Sequence, residues 1–123
     1  MTTTLAEKWG GLVVFGEHRY FGGSYPFNDK TKAMQKENLK YLTVDNVLMD
    51  YVELLKMIKS QYGASFKATI AFGGSYGGML AAWMRMKHPS VVQGALAASA
   101  PILYFHGAEH NTDNGAGFFK VIT

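Results

Sequence analysis

No cysteine occurs in the chain, which excludes a disulfide framework and any thiolate-bound metal within it. Charge is also scarce. Charged residues make up 17% of the 123, and twelve Lys and Arg against nine Asp and Glu leave a formal net charge of +3. Much of that excess sits in one loop-like stretch, at Lys30, Lys32, Lys36 and Lys40. No basic stripe with aromatic or groove-reading residues accompanies it, which argues against a nucleic-acid partner. The longest apolar runs, residues 12–15 and 95–98 with a continuation to Phe105, fall short of the ~20 residues that span a bilayer. No membrane partner is therefore expected. Residues 1–7 lack the basic and apolar regions of a secretory signal, and no repeat or low-complexity segment is visible. What is present is globular: 48% of residues are hydrophobic, enough for one modest core.

The pattern along the chain is α/β. Leu12-Val13-Val14-Phe15 is a β-branched and aromatic run after Gly10-Gly11 and predicts a buried strand. A polar loop through Glu17-His18-Arg19-Tyr20 follows, and residues 22–40 read as loop with some irregular helix. Val44, Val47, Leu48, Tyr51, Leu55 and Ile58 recur at three- and four-residue spacings, which predicts an amphipathic helix. Thr43 is placed to cap it, Asp45 lies in its first turn, and Lys56, Lys59 and Gly63 mark its end. Residues 68–72 read as an uncharged, central parallel strand. A second helix runs from Tyr76 to Lys87 before His88-Pro89, and Gly94-Ala95-Leu96-Ala97-Ala98 reads as a third strand. Alternating strands and helices imply parallel strands joined by right-handed crossover helices.

Gly73-Gly74-Ser75-Tyr76-Gly77-Gly78 lies between the second strand and the second helix. Gly73-x-Ser75-x-Gly77 fits the G-x-S-x-G nucleophile elbow. The spacing has a steric reason: a strained turn lifts the serine hydroxyl above the sheet, and glycines on either side let strand and helix pass closely. Ser75 is the candidate nucleophile, and the backbone N–H of Tyr76 a candidate oxyanion donor at the helix N-terminus. A phosphate loop is the competing chemistry, but Ser75 holds the second glycine position of G-x-G-x-x-G, and no Gly-Lys-Ser/Thr follows. A plain connecting turn is the remaining alternative.

Several segments in order carry a family resemblance: Gly16-Glu17-His18-Arg19-Tyr20-Phe21-Gly22, Leu42-Thr43-Val44, residues 70–83, Arg85-Met86-Lys87-His88-Pro89 and residues 94–102. Together they resemble the Pro-X carboxypeptidase and dipeptidyl peptidase II family of serine peptidases. The resemblance implies a partial α/β-hydrolase fold, Ser75 as nucleophile, cleavage after proline near a peptide terminus, and a lysosomal or secreted parent. It implies no cofactor and no metal. Family members are several times longer and carry an inserted helical domain. Their catalytic Asp and His follow the serine far downstream. Residues 1–123 are thus expected to be an interior fragment of one catalytic domain, lacking the Asp, the His and a second oxyanion donor, and inactive alone. Met79-Leu80-Ala81-Ala82-Trp83 leans toward the carboxypeptidases and Ile70-Ala71-Phe72 toward the dipeptidyl peptidases, so the two specificities are not separated.

Other residues have plainer roles open to them. Glu17, His18 and Arg19, with Tyr20, form a possible site loop; ordering the loop through charge-assisted hydrogen bonds is favoured over holding a peptide terminus. His88 is expected to end the second helix. His106-Gly107-Ala108-Glu109-His110 matches an inverted zinc-peptidase signature, but no later Glu supplies a third ligand and Gly107 weakens a helix. A solvated loop is favoured there, with a zinc peptidase as the alternative function and a catalytically dead binding piece as another. A triad of Ser75 with Asp113 and His106 or His110 would run in the wrong chain order. Met79, Trp83 and Met86, at spacings of four and three, are expected in the core, and Ser99 at a strand end.

Overall fold

The computed structural model describes residues 2–102. Helix α1, Thr2–Trp9, has no counterpart in the sequence reading. Gly10 ends it at φ +61°, and the N–H groups of Gly10 and Gly11 donate to the carbonyls of Glu7 and Ala6. That is a Schellman closure, which satisfies the last carbonyls of the helix.

The predicted strand at residues 12–15 does not form: this segment is extended but enters no ladder. Strandness belongs to a pair, and neither strand of the sheet pairs with it. The chain instead approaches α3 (Val44–Gln61). A Cβ on Gly16 would stand 2.8 Å from the Tyr51 ring, so only glycine permits that approach. Residues 22–41 carry short 3₁₀ turns at Pro26–Asn28 and Leu39–Tyr41 and a single helical turn, α2 (Lys30–Ala33).

Helix α3 follows its sequence pattern. The Thr43 hydroxyl accepts from the Asn46 N–H, and Val47, Leu48 and Val52 are buried. Strand β1 (Ile70–Gly74), helix α4 (Tyr76–Lys87) and strand β2 (Gly94–Ala98) complete the described chain. β1 and β2 pair in parallel, from Ile70 opposite Gly94 to Gly74 opposite Ala98. With residues 12–15 outside it, the expected three-stranded sheet has two strands among the described residues.

The core lies between α3 and α4. Val47, Leu48, Val52, Leu80, Met84 and Val92 are buried together, with Val44, Tyr51, Leu55, Ala71, Trp83 and Val91 packed around them. Met79 is buried, but Met86 is 72% exposed, against the expected stripe. At 100° per residue Met86 stands about 200° around the helix from Met84, on the side away from α3. No described helix is long and apolar enough to cross a membrane.

Candidate active site

Ser75 occupies the link between β1 and α4 at φ 54°, ψ −123°. A non-glycine residue there is strained and persists only where its surroundings fix it. The main chain is held on both sides: the Ser75 N–H donates to the Ala98 carbonyl at 2.9 Å, and the Ser75 carbonyl accepts from the Met79 N–H at 3.0 Å. The side chain is exposed and is not spent on capping α4. The amides of Tyr76, Gly77 and Gly78 precede the first intrahelical bond, where a helix offers N–H groups and positive potential to an anion.

The elbow glycines are not equivalent. A Cβ on Gly73 would lie 2.0 Å from the Gly77 carbonyl oxygen and 2.7 Å from the Gly78 nitrogen. Among the described residues, a Cβ on Gly78 would lie 3.0 Å from both the Ala98 oxygen and the Ala100 Cβ, whereas one on Gly77 would meet nothing within 4 Å and one on Gly74 only the Ala98 oxygen at 4.0 Å. Strand and helix therefore cross through Gly73 and Gly78. The expectation of tight glycines at both motif positions holds at Gly73 and fails at Gly77, because the Cβ direction at the helix's second residue leads away from the strand.

The Glu17–Tyr20 loop comes to the elbow through one side chain. His18 Nε2 lies 3.0 Å from the Tyr76 hydroxyl, and its Nδ1 lies 2.6 Å from the Arg19 carbonyl oxygen. The ring also stacks edge-on against Phe21 at 5.1 Å. Arg19 turns toward α3. Its Nε and Nη2 donate to the two carboxylate oxygens of Asp50, each at 2.6 Å, and Nη1 donates to the Tyr41 carbonyl at 2.9 Å. The Asp50 contact raises the guanidinium above its ordinary pKa.

Glu17 closes the loop upon itself, accepting from the Ser24 hydroxyl at 2.6 Å and the Gly23 N–H at 3.0 Å. Those donors lower its carboxyl below the usual value. Tyr20 is buried, and its hydroxyl donates to the Asn38 carbonyl; it anchors the loop and does not face the elbow. Burial raises the Tyr76 phenol above its usual value.

A cavity of about 630 Å³ opens beside the loop, between Phe15, Arg19, Tyr25, Phe27, Asp50 and Tyr51, and Ser75 is outside its lining. Asp50 and the Tyr76 side chain were not singled out from sequence. An acid flanking the apolar stripe of α3 was the available signal for Asp50, but nothing local linked it to Arg19. His88 ends α4, its N–H donating to the Met84 carbonyl. His106, Glu109, His110 and Asp113 lie outside the described residues.

Comparison with known proteins identifies the family. The family described as serine carboxypeptidase S28 matches residues 1–111. The chain is 51% identical over 102 residues to the human lysosomal Pro-X carboxypeptidase, covering 82% of this chain and 20% of that protein. The mouse lysosomal Pro-X carboxypeptidase is 48% identical over 104 residues, covering 84% and 21%. Prolyl carboxy peptidase like protein 5 of Caenorhabditis elegans is 45% identical over 103 residues, covering 82% and 20%. The chain thus spans about one-fifth of the length of the curated relatives it matches. With the match extending over nearly all of its residues, the chain belongs to the serine carboxypeptidase S28 family of peptidases.

Proposed function

We propose that this chain is the nucleophile-bearing part of an α/β-hydrolase catalytic domain, in a serine exopeptidase that removes a residue following proline at a peptide's C-terminus. The observation that carries the proposal is Ser75 at φ 54°, ψ −123°, exposed between a parallel strand and a helix N-terminus. That conformation costs about 1–3 kcal/mol, and it presents a hydroxyl that no described residue engages.

In the complete enzyme the Ser75 Oγ attacks the carbonyl carbon of the scissile bond. Its proton passes to a histidine, which an aspartate orients; by resemblance both are expected C-terminal to the serine. The carbonyl π electrons move onto oxygen, and the Tyr76 N–H at the start of α4 stabilises that charge. Collapse expels the leaving amine, which takes the proton from the histidine, and water then hydrolyses the acyl-enzyme. None of these steps draws on a metal or cofactor. The preference for proline and the lysosomal location come from the relatives, two of which are named lysosomal Pro-X carboxypeptidases.

The test is Ser75→Ala in the full-length peptidase, assayed on peptides ending in Pro-Phe. Loss of a triad member costs about 10⁶-fold in rate, so turnover is expected to vanish while the protein remains folded. A tenth of the parental rate in the purified variant would place the nucleophile elsewhere. Cleavage of Xaa-Pro-amide reporters in place of Pro-Phe peptides would make it a dipeptidyl peptidase.

A further inference from the structure

The hydrogen bond between His18 and the Tyr76 phenol plays no part in the chemistry above. Its polarity follows from its neighbours. The Arg19 carbonyl can only accept, so His18 Nδ1, 2.6 Å away, carries the proton. In the neutral ring Nε2 is then the acceptor, and the Tyr76 hydroxyl at 3.0 Å donates to it. The phenol is held above its ordinary pKa by burial and keeps that proton at neutral pH.

The histidine is itself fixed. Phe21 packs edge-on against its ring, and the next residue, Arg19, is bound through two nitrogens to Asp50 on α3. A line of contacts therefore runs from α3 through Asp50, Arg19 and His18 to Tyr76. It ends on the residue whose N–H immediately follows Ser75. The strained Ser75 backbone is tied by its own N–H to Ala98 and by its carbonyl to Met79. The second of these bonds holds the peptide plane between Ser75 and Tyr76 from the helix side, through its carbonyl; a restraint from the loop side needs another group. The Tyr76 side chain supplies it.

We infer that His18 is a positioning residue for the elbow: by accepting from the Tyr76 phenol it fixes the first residue of α4, and with it the N–H that faces the developing oxyanion. This rests on Ser75 as nucleophile and the Tyr76 N–H as oxyanion donor. Because an oxyanion donor acts in the transition state, the effect belongs in kcat and not in KM.

The experiment is a double-mutant cycle in the full-length peptidase, with Tyr76→Phe, His18→Ala, the pair together, and His18→Gln, whose amide oxygen can accept from a phenol. Each of the first two is expected to lower kcat about fivefold, the worth of one ordinary hydrogen bond, with KM within about twofold. The pair should lose no more than either alone, and His18→Gln should recover most of the loss. An unchanged kcat in Tyr76→Phe, a loss confined to KM, or a double variant that loses the product of the singles each overturns the inference. Tyr76→Phe keeps the ring and carries the test if His18→Ala fails to fold. Fluorophosphonate labelling separates the two assignments. A parental enzyme that does not label at Ser75 removes the nucleophile, whereas normal labelling with an unaffected Tyr76→Phe rate removes the role of His18 alone.

Discussion

Gly73 and Gly77 flank Ser75 symmetrically in sequence, yet their replacement by alanine should have opposite consequences. In Gly73→Ala the new methyl would stand 2.0 Å from the Gly77 carbonyl oxygen, 2.3 Å from the Gly77 carbonyl carbon and 2.7 Å from the Gly78 nitrogen. All three are main-chain atoms, so no rotamer relieves the clash. α4 must move by about an ångström from β1 to reach even the tightest contact that Cβ atoms make. That movement would drag Leu80 and Met84 out of register with Val47, Leu48 and Val92. Overpacking a well-filled site costs about 1–3 kcal/mol and more where the neighbours are rigid, so Gly73→Ala is placed at about 3 kcal/mol or above. In Gly77→Ala the methyl meets nothing within 4 Å among the described residues. Alanine is there the better helix former by up to about 1 kcal/mol. Thermal unfolding of both variants in the full-length peptidase, with fluorophosphonate labelling of Ser75 as the local readout, checks the contrast. Gly73→Ala should unfold well below the parent or fail to accumulate, and Gly77→Ala should match or exceed it. Equal midpoints for the two would refute the steric account of the elbow.

Asp50→Asn removes a charge-assisted, two-point contact with Arg19 that is partly exposed. The expected cost is about 1–2 kcal/mol, seen as faster limited proteolysis of the segment around Arg19. Gly22→Ala, at φ +55° and with a Cβ 1.8 Å from Glu17 Oε1, should expel the Glu17 carboxylate from its Ser24 and Gly23 donors and raise the exchange rate of the Gly23 amide. The Glu17 carboxyl is held below its ordinary value, first by the Ser24 hydroxyl and then by the Gly23 amide. A depressed folded-state pKa gives stability that is present above the unfolded value and lost as pH falls through the folded one. Protection of the Gly23 amide relative to its intrinsic exchange rate should therefore fall below about pH 4, and Glu17→Gln should abolish that dependence.

How far the fold could be read in advance depended on whether the deciding interaction was local. α3 was legible because Thr43, the apolar stripe and the terminal lysines all act within a turn or two of one another. α4 was legible because a strained serine starts it and His88-Pro89 stops it. β1 was expected at residues 68–72 and lies at Ile70–Gly74. Its limits are set by where β2 offers partners, and Gly73 and Gly74 find theirs in Ala97 and Ala98. The run at residues 12–15 has the composition of a strand and no partner among the described residues, so composition misled. At the site, the elbow was visible as a five-residue pattern. The Arg19–Asp50 and His18–Tyr76 pairs were not, since 31 and 58 residues separate their members.

The surface left by two strands sets a limit on what these residues can do alone. Ala71 turns into the core, while Ile70 and Phe72 on the other face of β1 are 48% and 36% exposed, and Leu96, opposite Phe72 on β2, is 43% exposed. Phe15, in the unpaired extended segment, is 83% exposed. Parallel strands are stable when both faces are covered, and an uncovered apolar face with open edges invites association. Ten buried hydrophobic residues form the whole core among the described residues, little to hold a serine in a strained backbone conformation. A weakly held elbow whose serine hydroxyl bonds no base among the described residues presents a poor nucleophile at neutral pH. The 123-residue chain, expressed by itself, is therefore expected to melt without a sharp transition, to associate through the Ile70–Phe72–Leu96 face, and to show no peptide turnover. Calorimetry, sedimentation and a fluorophosphonate label examine the three points together. A sharp unfolding transition in a monomer, with stoichiometric labelling of Ser75, would show that the α3–α4 core suffices to hold the elbow, and that the exposed sheet face costs the chain nothing.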